Sequence, residues 1–390
     1  MYKFNINIPT KVIFGPDRLG SLGKELSKYG KKVLIVYGGG SVKRNGIFDK
    51  ATASITAAGL EYTELSGVEP NPKVSSVNAG AKICKEEGVD IILAMGGGSV
   101  IDCSKAISAA AFYDGDAWDL VTGEAKVGKT LPIAAILTIA ATGSEMDMIG
   151  VISNAETEQK LCIAAPGLRP VVSFLDPTLT YSVSPFQTAA GSADILSHIM
   201  EDYFVADGES MYMLDRFKEG MMKTVIKYAP IALAEPDNYE ARANLMLTSS
   251  WAINGFSGAL TKCEWTNHMI EHELSAIYDI THGLGLAIVT PRWMRYILDA
   301  STAPKIRDFA VNVFGVDASL SAMDAAMKGI ECLEDFFFNK LGLKSRLSDI
   351  GIDDKNIDIM AKKACNGKNT LNGWKVLTPE QIADILRNCL

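Results

Sequence analysis

Histidine is scarce in this chain, with only four in 390 residues, and none lies outside positions 198–282. Other absences narrow the class first. No apolar run reaches the length of a membrane span, and Met1-Tyr-Lys-Phe-Asn-Ile-Asn-Ile lacks the long apolar core of a signal peptide, so no membrane partner is expected. The cysteines number seven, an odd count without a Cys-x-x-Cys pair, which argues against a zinc-thiolate site and fits reduced thiols in a cytoplasm. There is no excess of positive charge. A formal net charge of −8 argues against a general nucleic-acid or anionic-membrane surface. Internal repeats and low-complexity segments are also missing. What remains, 48 % hydrophobic and 22 % charged residues, is the composition of a globular protein long enough for two domains.

The four histidines are His198, His268, His272 and His282. Asp194 precedes His198 by four residues, so on a helix the two share a face and can offer oxygen and nitrogen to one ion. His268 and His272 are related in the same way. His268 and His282 would be roughly 21 Å apart on an unbroken helix, too far for a common ion. If both are ligands, the chain must turn back between them, and Tyr278-Asp-Ile-Thr281 is the expected place, with Asp279 or Thr281 satisfying backbone groups. A lone histidine is usually a hydrogen-bonded core or surface residue. A carboxylate and imidazoles gathered in this pattern point instead to a divalent metal.

The first half alternates β-branched runs with helical patterns. Lys32–Tyr37, Val89–Met95, Leu131–Leu137 and Val171–Leu175 read as buried strands, with Val74–Glu87 as a helix between two of them. That alternation implies a parallel sheet covered by helices. After Asp176-Pro177 the strand signals stop and the rest reads helical, including Ser319–Leu341 closed by Gly342 and a last helix behind the capping box Thr378-Pro-Glu-Gln381. The boundary is placed within 177–187, giving an α/β domain over 1–182 and an all-helical domain over 183–390.

Two glycine turns follow strands, Gly38-Gly-Gly-Ser41 and Gly96-Gly-Gly-Ser99, the second leading to Asp102. Glycine allows close approach, and a following helix N-terminus offers free N–H groups suited to a pyrophosphate. Neither turn matches Gly-x-Gly-x-x-Gly, and tight strand–helix turns also use glycine for structural reasons alone. In the first turn Ser41 and Lys43 could cradle a 2′-phosphate, and no carboxylate follows until Asp49, but a glycine turn with two solvated basic residues fits this stretch equally well, and NADP(H) is expected over NAD(H) only with the resemblance that follows.

Gly96-Gly-Gly-Ser-Val-Ile-Asp102, Ala141-Thr-Gly-Ser-Glu145, Asp176-Pro-Thr-Leu-Thr180, Gly191-Ser-Ala-Asp-Ile-Leu-Ser-His198, His268-Met-Ile-Glu-His272 and His282-Gly283 resemble the iron-containing alcohol dehydrogenases over the whole chain. Within them the chain is most similar to the NADPH-dependent butanol dehydrogenase and aldehyde reductase branch. The resemblance implies a dehydroquinate synthase-like fold, an α/β dinucleotide-binding domain plus an all-α domain with the active site between them, and a homodimer. It implies that Asp194, His198, His268 and His282 are the metal ligands and that Gly96, Gly97, Gly98 and Ser99 bind pyrophosphate, with Asp102 close behind. Thr138, Thr142 and Lys160 would line the cofactor site beside Gly38, Gly39, Gly40, Ser41 and Lys43, and His272 would sit by the nicotinamide and substrate without binding metal. Asp147 departs from the family's pattern, where Asn or Thr is usual, and bears on cofactor contacts or metal preference. The implied reaction is hydride transfer between NADP(H) and a small aldehyde or primary alcohol, such as butanal or butanol. Four protein ligands leave the substrate oxygen to enter as a fifth donor, which suits Fe²⁺ better than Zn²⁺, although Zn²⁺ can also expand to five. The alternatives are an NAD-dependent polyol dehydrogenase, and a regulatory protein that binds nucleotide and metal without turnover. Trp251 and Phe256 are candidate substrate-pocket residues.

Overall fold

The computed structural model describes residues 2–205, 210–262 and 264–390. It divides into two compact units, one of Asn7–Val183 and one of Ser184–Leu390 joined by the N-terminal residues through Ile6.

Eight strands lie in the first unit: β1 (Lys11–Phe14), β2 (Lys32–Tyr37), β3 (Glu61–Leu65), β4 (Ile91–Gly96), β5 (Ile133–Leu137), β6 (Ile149–Asn154), β7 (Gln159–Ala164) and β8 (Val172–Leu175). Six of them form a parallel sheet in the order β1-β8-β5-β4-β2-β3. The central strands are continuous runs of Val, Ile, Leu and Ala because both faces are covered, and Val33, Ile35, Ile91 and Leu93 are wholly inaccessible. Val74–Glu87 forms the expected helix. β1, β3 and the antiparallel pair β6–β7 do not stand out in the sequence, since β3 is an edge strand with mostly exposed residues and β7, Gln-Lys-Leu-Cys-Ile-Ala, lacks a regular polar–apolar alternation.

The strand order places a functional edge. From β2 the chain pairs outward to β3, then returns across β2 to build β4, β5 and β8 on its other side. In such a sheet the crevice at the carboxyl ends of the two strands flanking the reversal, here β2 and β4, is where ligands bind. Both glycine turns lie there, after Tyr37 and after Met95.

The second unit is built mainly from helices, among them Pro185–Tyr203, Thr266–Tyr278 and His282–Ile297. Pro185 occupies the first turn, where its missing N–H costs nothing, and Ser184 caps the helix by accepting from Gln187 N at 3.2 Å. The capping box at Thr378 and Gln381 forms as expected. Ser319–Leu341 is not one uniform helix. It starts at Ala322 behind the cap Ser321, and its last turn over Asp335–Lys340 widens to a π-helix before Gly342. A two-residue strand pair, Leu371–Asn372 with Val376–Leu377, also departs from the all-helical expectation. Among the described residues no helix is long and apolar enough to cross a membrane. The six described cysteines are free thiols, and Cys263 lies outside the described residues.

Candidate active site and metal centre

Asp194 and His198 lie one turn apart inside Pro185–Tyr203, with His198 Nε2 at 3.7 Å from Asp194 Oδ1. His268 and His272 lie one turn apart on Thr266–Tyr278. The chain then breaks where the spacing required. Tyr278 ends the helix, Asp279 takes a left-handed conformation with φ 52° and donates its N–H to Ser275 O at 3.0 Å, and a new helix opens at His282. Asp279 closes the helix through its backbone, and the Thr281 side chain makes no cap bond. The turn brings His282 Nε2 to 3.8 Å from the same Asp194 Oδ1.

All four histidines meet. The His268 ring stacks on His198 with centroids 4.8 Å apart and stands 5.3 Å from His282. His272 is 6.4 Å from His268 and 5.6 Å from His282. Two donors each about 2.1 Å from one ion lie roughly 3–3.5 Å apart, close to the separations seen here. His268 Nε2 is buried without a hydrogen-bond partner, an arrangement that ordinarily costs free energy and that an ion in the cluster would relieve. Burial, reinforced by the neighbouring His268, pushes the His198 imidazole well below its usual range and keeps it neutral, the form that donates to a metal. One carboxylate and three imidazoles suit a divalent ion.

Two carboxylates behind the cluster went unseen in the sequence. Glu201 Oε1 accepts from the His268 backbone N–H at 3.0 Å and lies 3.2 Å from His268 Nδ1. Glu271, wholly buried, faces His282 Nδ1 and the Ser275 hydroxyl. Trp265 was also unforeseen. Its ring lies 5.5 Å from His198 and 4.9 Å from His268, with its N–H donated to Asp202 at 3.2 Å. Trp251 and Phe256 instead pack edge-on against one another and against Phe217.

In the first unit, β4 passes through Gly97 into the helix Gly98–Ala110. A Cβ on Gly98 would lie 2.4 Å from Thr142 Oγ1, so this glycine is needed for the protein's own packing as well as for open approach to the turn. Thr138 N bonds Gly96 O at 3.0 Å, which sets the loop carrying Thr138 and Thr142 beside Gly96–Ser99. Asp102 is occupied internally, accepting from Ser144 Oγ at 2.5 Å and Val151 N at 3.0 Å. Asp147 is also engaged. The fully buried Lys105 ammonium donates to Asp147 Oδ1 at 2.6 Å, to Ser144 Oγ at 2.8 Å and to Ile149 O at 2.6 Å. Lys160 is buried on β7, paired in register with Ser153 of β6. At the other turn, Gly39 and Ser41 are exposed beside Gly38 and Gly40, and a short helix spans Ser41–Arg44. Lys43 there is ion-paired to Glu64 at 2.7 Å, and Tyr37 OH donates to the same carboxylate at 2.7 Å.

Residues 9–177 match the family model described as iron-containing alcohol dehydrogenase, and residues 188–390 match its C-terminal family. The chain is 54 % identical to NADH-dependent butanol dehydrogenase B of Clostridium acetobutylicum, over 93 % of each chain. It is 36 % identical to the NADPH-dependent aldehyde reductase YqhD of Escherichia coli, again over 93 % of each. The crystal structure of NADH-dependent butanol dehydrogenase A from Thermotoga maritima superposes with a TM-score of 0.94 at 38 % identity, covering 100 % of this chain and 99 % of that one. The unit with one carboxylate and three imidazoles and the parallel-sheet unit with its glycine turns are each matched, so that nearly the whole sequence is covered, and the chain belongs to the iron-containing alcohol dehydrogenase family.

Proposed function

We propose that this protein interconverts a small aldehyde and its primary alcohol, such as butanal and butanol, using a divalent ion held by Asp194, His198, His268 and His282. The observation that carries the reading is the approach of His198 Nε2 and His282 Nε2 to one oxygen, Asp194 Oδ1, at 3.7 and 3.8 Å, with the unpartnered Nε2 of His268 stacked beside them. A divalent ion, Fe²⁺ by family, supplies a Lewis acid for the negative charge that hydride transfer leaves on oxygen. The glycine turn after β4 and the N-terminus of Gly98–Ala110 suit the cofactor pyrophosphate. A panel of aldehydes, primary alcohols and diols, run on metal-reconstituted protein, tests the substrate class, and preference for a polyol would replace the reading.

His272 is the proton-relay group in this reading. It is buried with its ring 6.4 Å from His268 and 5.6 Å from His282, close enough to the proposed ion position to pass a proton there. His272→Ala should lower kcat by about 10²-fold, the low end of general acid–base contributions, with metal content unchanged. Unaltered turnover and pH–rate profile would exclude the relay.

For the cofactor we favour NAD(H). The argument for NADP(H) used Lys43 to meet a 2′-phosphate and relied on the absence of a nearby carboxylate. In space Glu64 supplies one, from the strand paired with β2, and it holds the Lys43 ammonium. A carboxylate there repels a 2′-phosphate and occupies the cation that would bind it. NADH dependence in the names of the Clostridium and Thermotoga relatives agrees, while the Escherichia relative is named for NADPH. Glu64→Ala should release Lys43 and raise kcat/KM for NADPH relative to NADH by roughly tenfold, the value of one charge-assisted hydrogen bond. A wild-type preference for NADPH, or no change in the ratio, would return the assignment to the glycine turn alone.

A further inference from the structure

We propose that Glu201 and Glu271 are positioning residues for the metal centre, each fixing the Nδ1 proton of one imidazole so that its Nε2 presents a lone pair to the ion. The proposal rests on the metal reading above and concerns groups outside the ligand set. Glu201 leaves the same helix as Asp194 and His198 and meets His268 on the neighbouring helix, at both its backbone N–H and Nδ1. Glu271 sits between His268 and His272 in sequence, yet it reaches past the break at Asp279 to His282 Nδ1. An imidazole whose Nδ1 faces a carboxylate keeps its proton on that nitrogen, which fixes the tautomer, the ring orientation and the greater basicity of Nε2. The other nitrogens agree with this assignment. His268 Nε2 has no hydrogen-bond partner, and His282 Nε2 faces Asp194.

Glu271 could instead be read as a ligand, because it also lies with His272 and His282 in a tight group of donors. Its own contacts argue otherwise. One carboxylate oxygen takes the Ser275 hydroxyl and the other faces His282 Nδ1, so both are already engaged on the side of the ring away from Asp194. The fold makes room for it there. A Cβ at Gly285 would lie 2.7 Å from Glu271 Cγ, so this glycine allows the buried carboxylate to pass the next helix. His198 is the contrasting case, since its Nδ1 has no hydrogen-bond partner. Two of the three imidazoles are therefore braced by carboxylates and the third is not.

The test uses the full chain stripped of metal and titrated with Co²⁺ against a competing chelator. Wild-type protein should bind one equivalent, and Co²⁺ should shift the exchangeable Nδ1 protons of its ligating histidines to distinct NMR positions. Glu271→Ala should weaken Co²⁺ binding by about 10–100-fold, the usual cost of losing such a partner, and remove the exchangeable signal of His282 alone. Glu201→Ala should do the same for His268. The Gln variants, which keep an acceptor and the side-chain volume, should recover part of the affinity, and they serve as the test where an Ala variant does not fold. Unchanged affinity with both exchangeable signals retained would overturn the proposal. So would a ligand-field spectrum in the Glu271 variants showing one donor fewer, which would make Glu271 a ligand. Failure of wild-type protein to bind Co²⁺ at all would overturn the metal reading, and this proposal with it.

Discussion

His268→Ala should yield a folded protein that retains almost no metal and loses at least about 10³-fold in turnover, because Lewis-acid stabilisation is worth several kcal/mol and each 1.36 kcal/mol is a factor of ten. His268 has a place in the cluster that the other donors do not fill. Asp194 and His198 share one helix and His282 opens another, whereas His268 comes from a third and stacks directly on His198. Removing it takes away the buried Nε2 that has no partner within the protein, and leaves Glu201 without the Nδ1 contact while the backbone N–H bond to Glu201 remains. That surviving bond should keep the two helices docked, so the far-ultraviolet circular dichroism should match wild type while elemental analysis shows the metal gone. Full metal occupancy in His268→Ala would remove His268 from the ligand set. Comparison with His272→Ala separates the two roles, since only the His268 variant should lose both metal and turnover.

The spacing of residues made much of this site legible. The four-residue interval between Asp194 and His198 is a statement about one helix, and a 14-residue interval between His268 and His282 demands a break that Asp279 supplies. The glycine turns were legible for the same reason, because strand, turn and helix follow one another in sequence. Interactions between separate elements were hidden. Glu201 reaches His268 across 67 positions, and Lys105 reaches Asp147 across 42. No local pattern announces such pairs. Glu64 is the instructive case. The absence of acidic residues from the turn after β2 was real along the chain, but parallel pairing sets β3 beside β2 and brings a carboxylate to Lys43 from 21 positions away. A neighbour in a sheet is invisible to a reading that follows the chain.

Asp147, which has the look of an anomaly in the sequence, gains a partner in the same way, and the consequence is measurable in stability. Lys105 is wholly buried in the helix after the second glycine turn, and its ammonium ties that helix to Ser144, Asp147 and the start of β6. Ser144 in turn donates to Asp102, so two acidic side chains depend on one cation. Burial pushes the Asp147 carboxyl up to about 6, against the opposing pull of Lys105, with the nearby Asp102 adding to the rise. Asp102 is raised too, by burial first, with Lys105 again holding it down. Lys105→Met keeps an unbranched side chain but leaves both carboxylates without their charge partner, which should cost about 3–5 kcal/mol at pH 8 in urea unfolding. The sign of the pH dependence follows from linkage. A carboxyl raised in the folded state takes up its proton there before the unfolded chain does, so its contribution to stability falls as pH rises from about 4 through 6. Without Lys105 the carboxyl moves higher still, so the deficit should be full at pH 8 and shrink by pH 5, where protonation removes the unpaired charge. Lys105→Met combined with Asp147→Asn should recover much of the loss, because the second change removes one orphaned charge. The cofactor KM should rise in Lys105→Met, since the helix it anchors begins at Gly98 and the hairpin it anchors carries Lys160. An equal deficit at both pH values, with no recovery in the double variant, would show that Lys105 contributes by packing and that its charge holds neither segment in place.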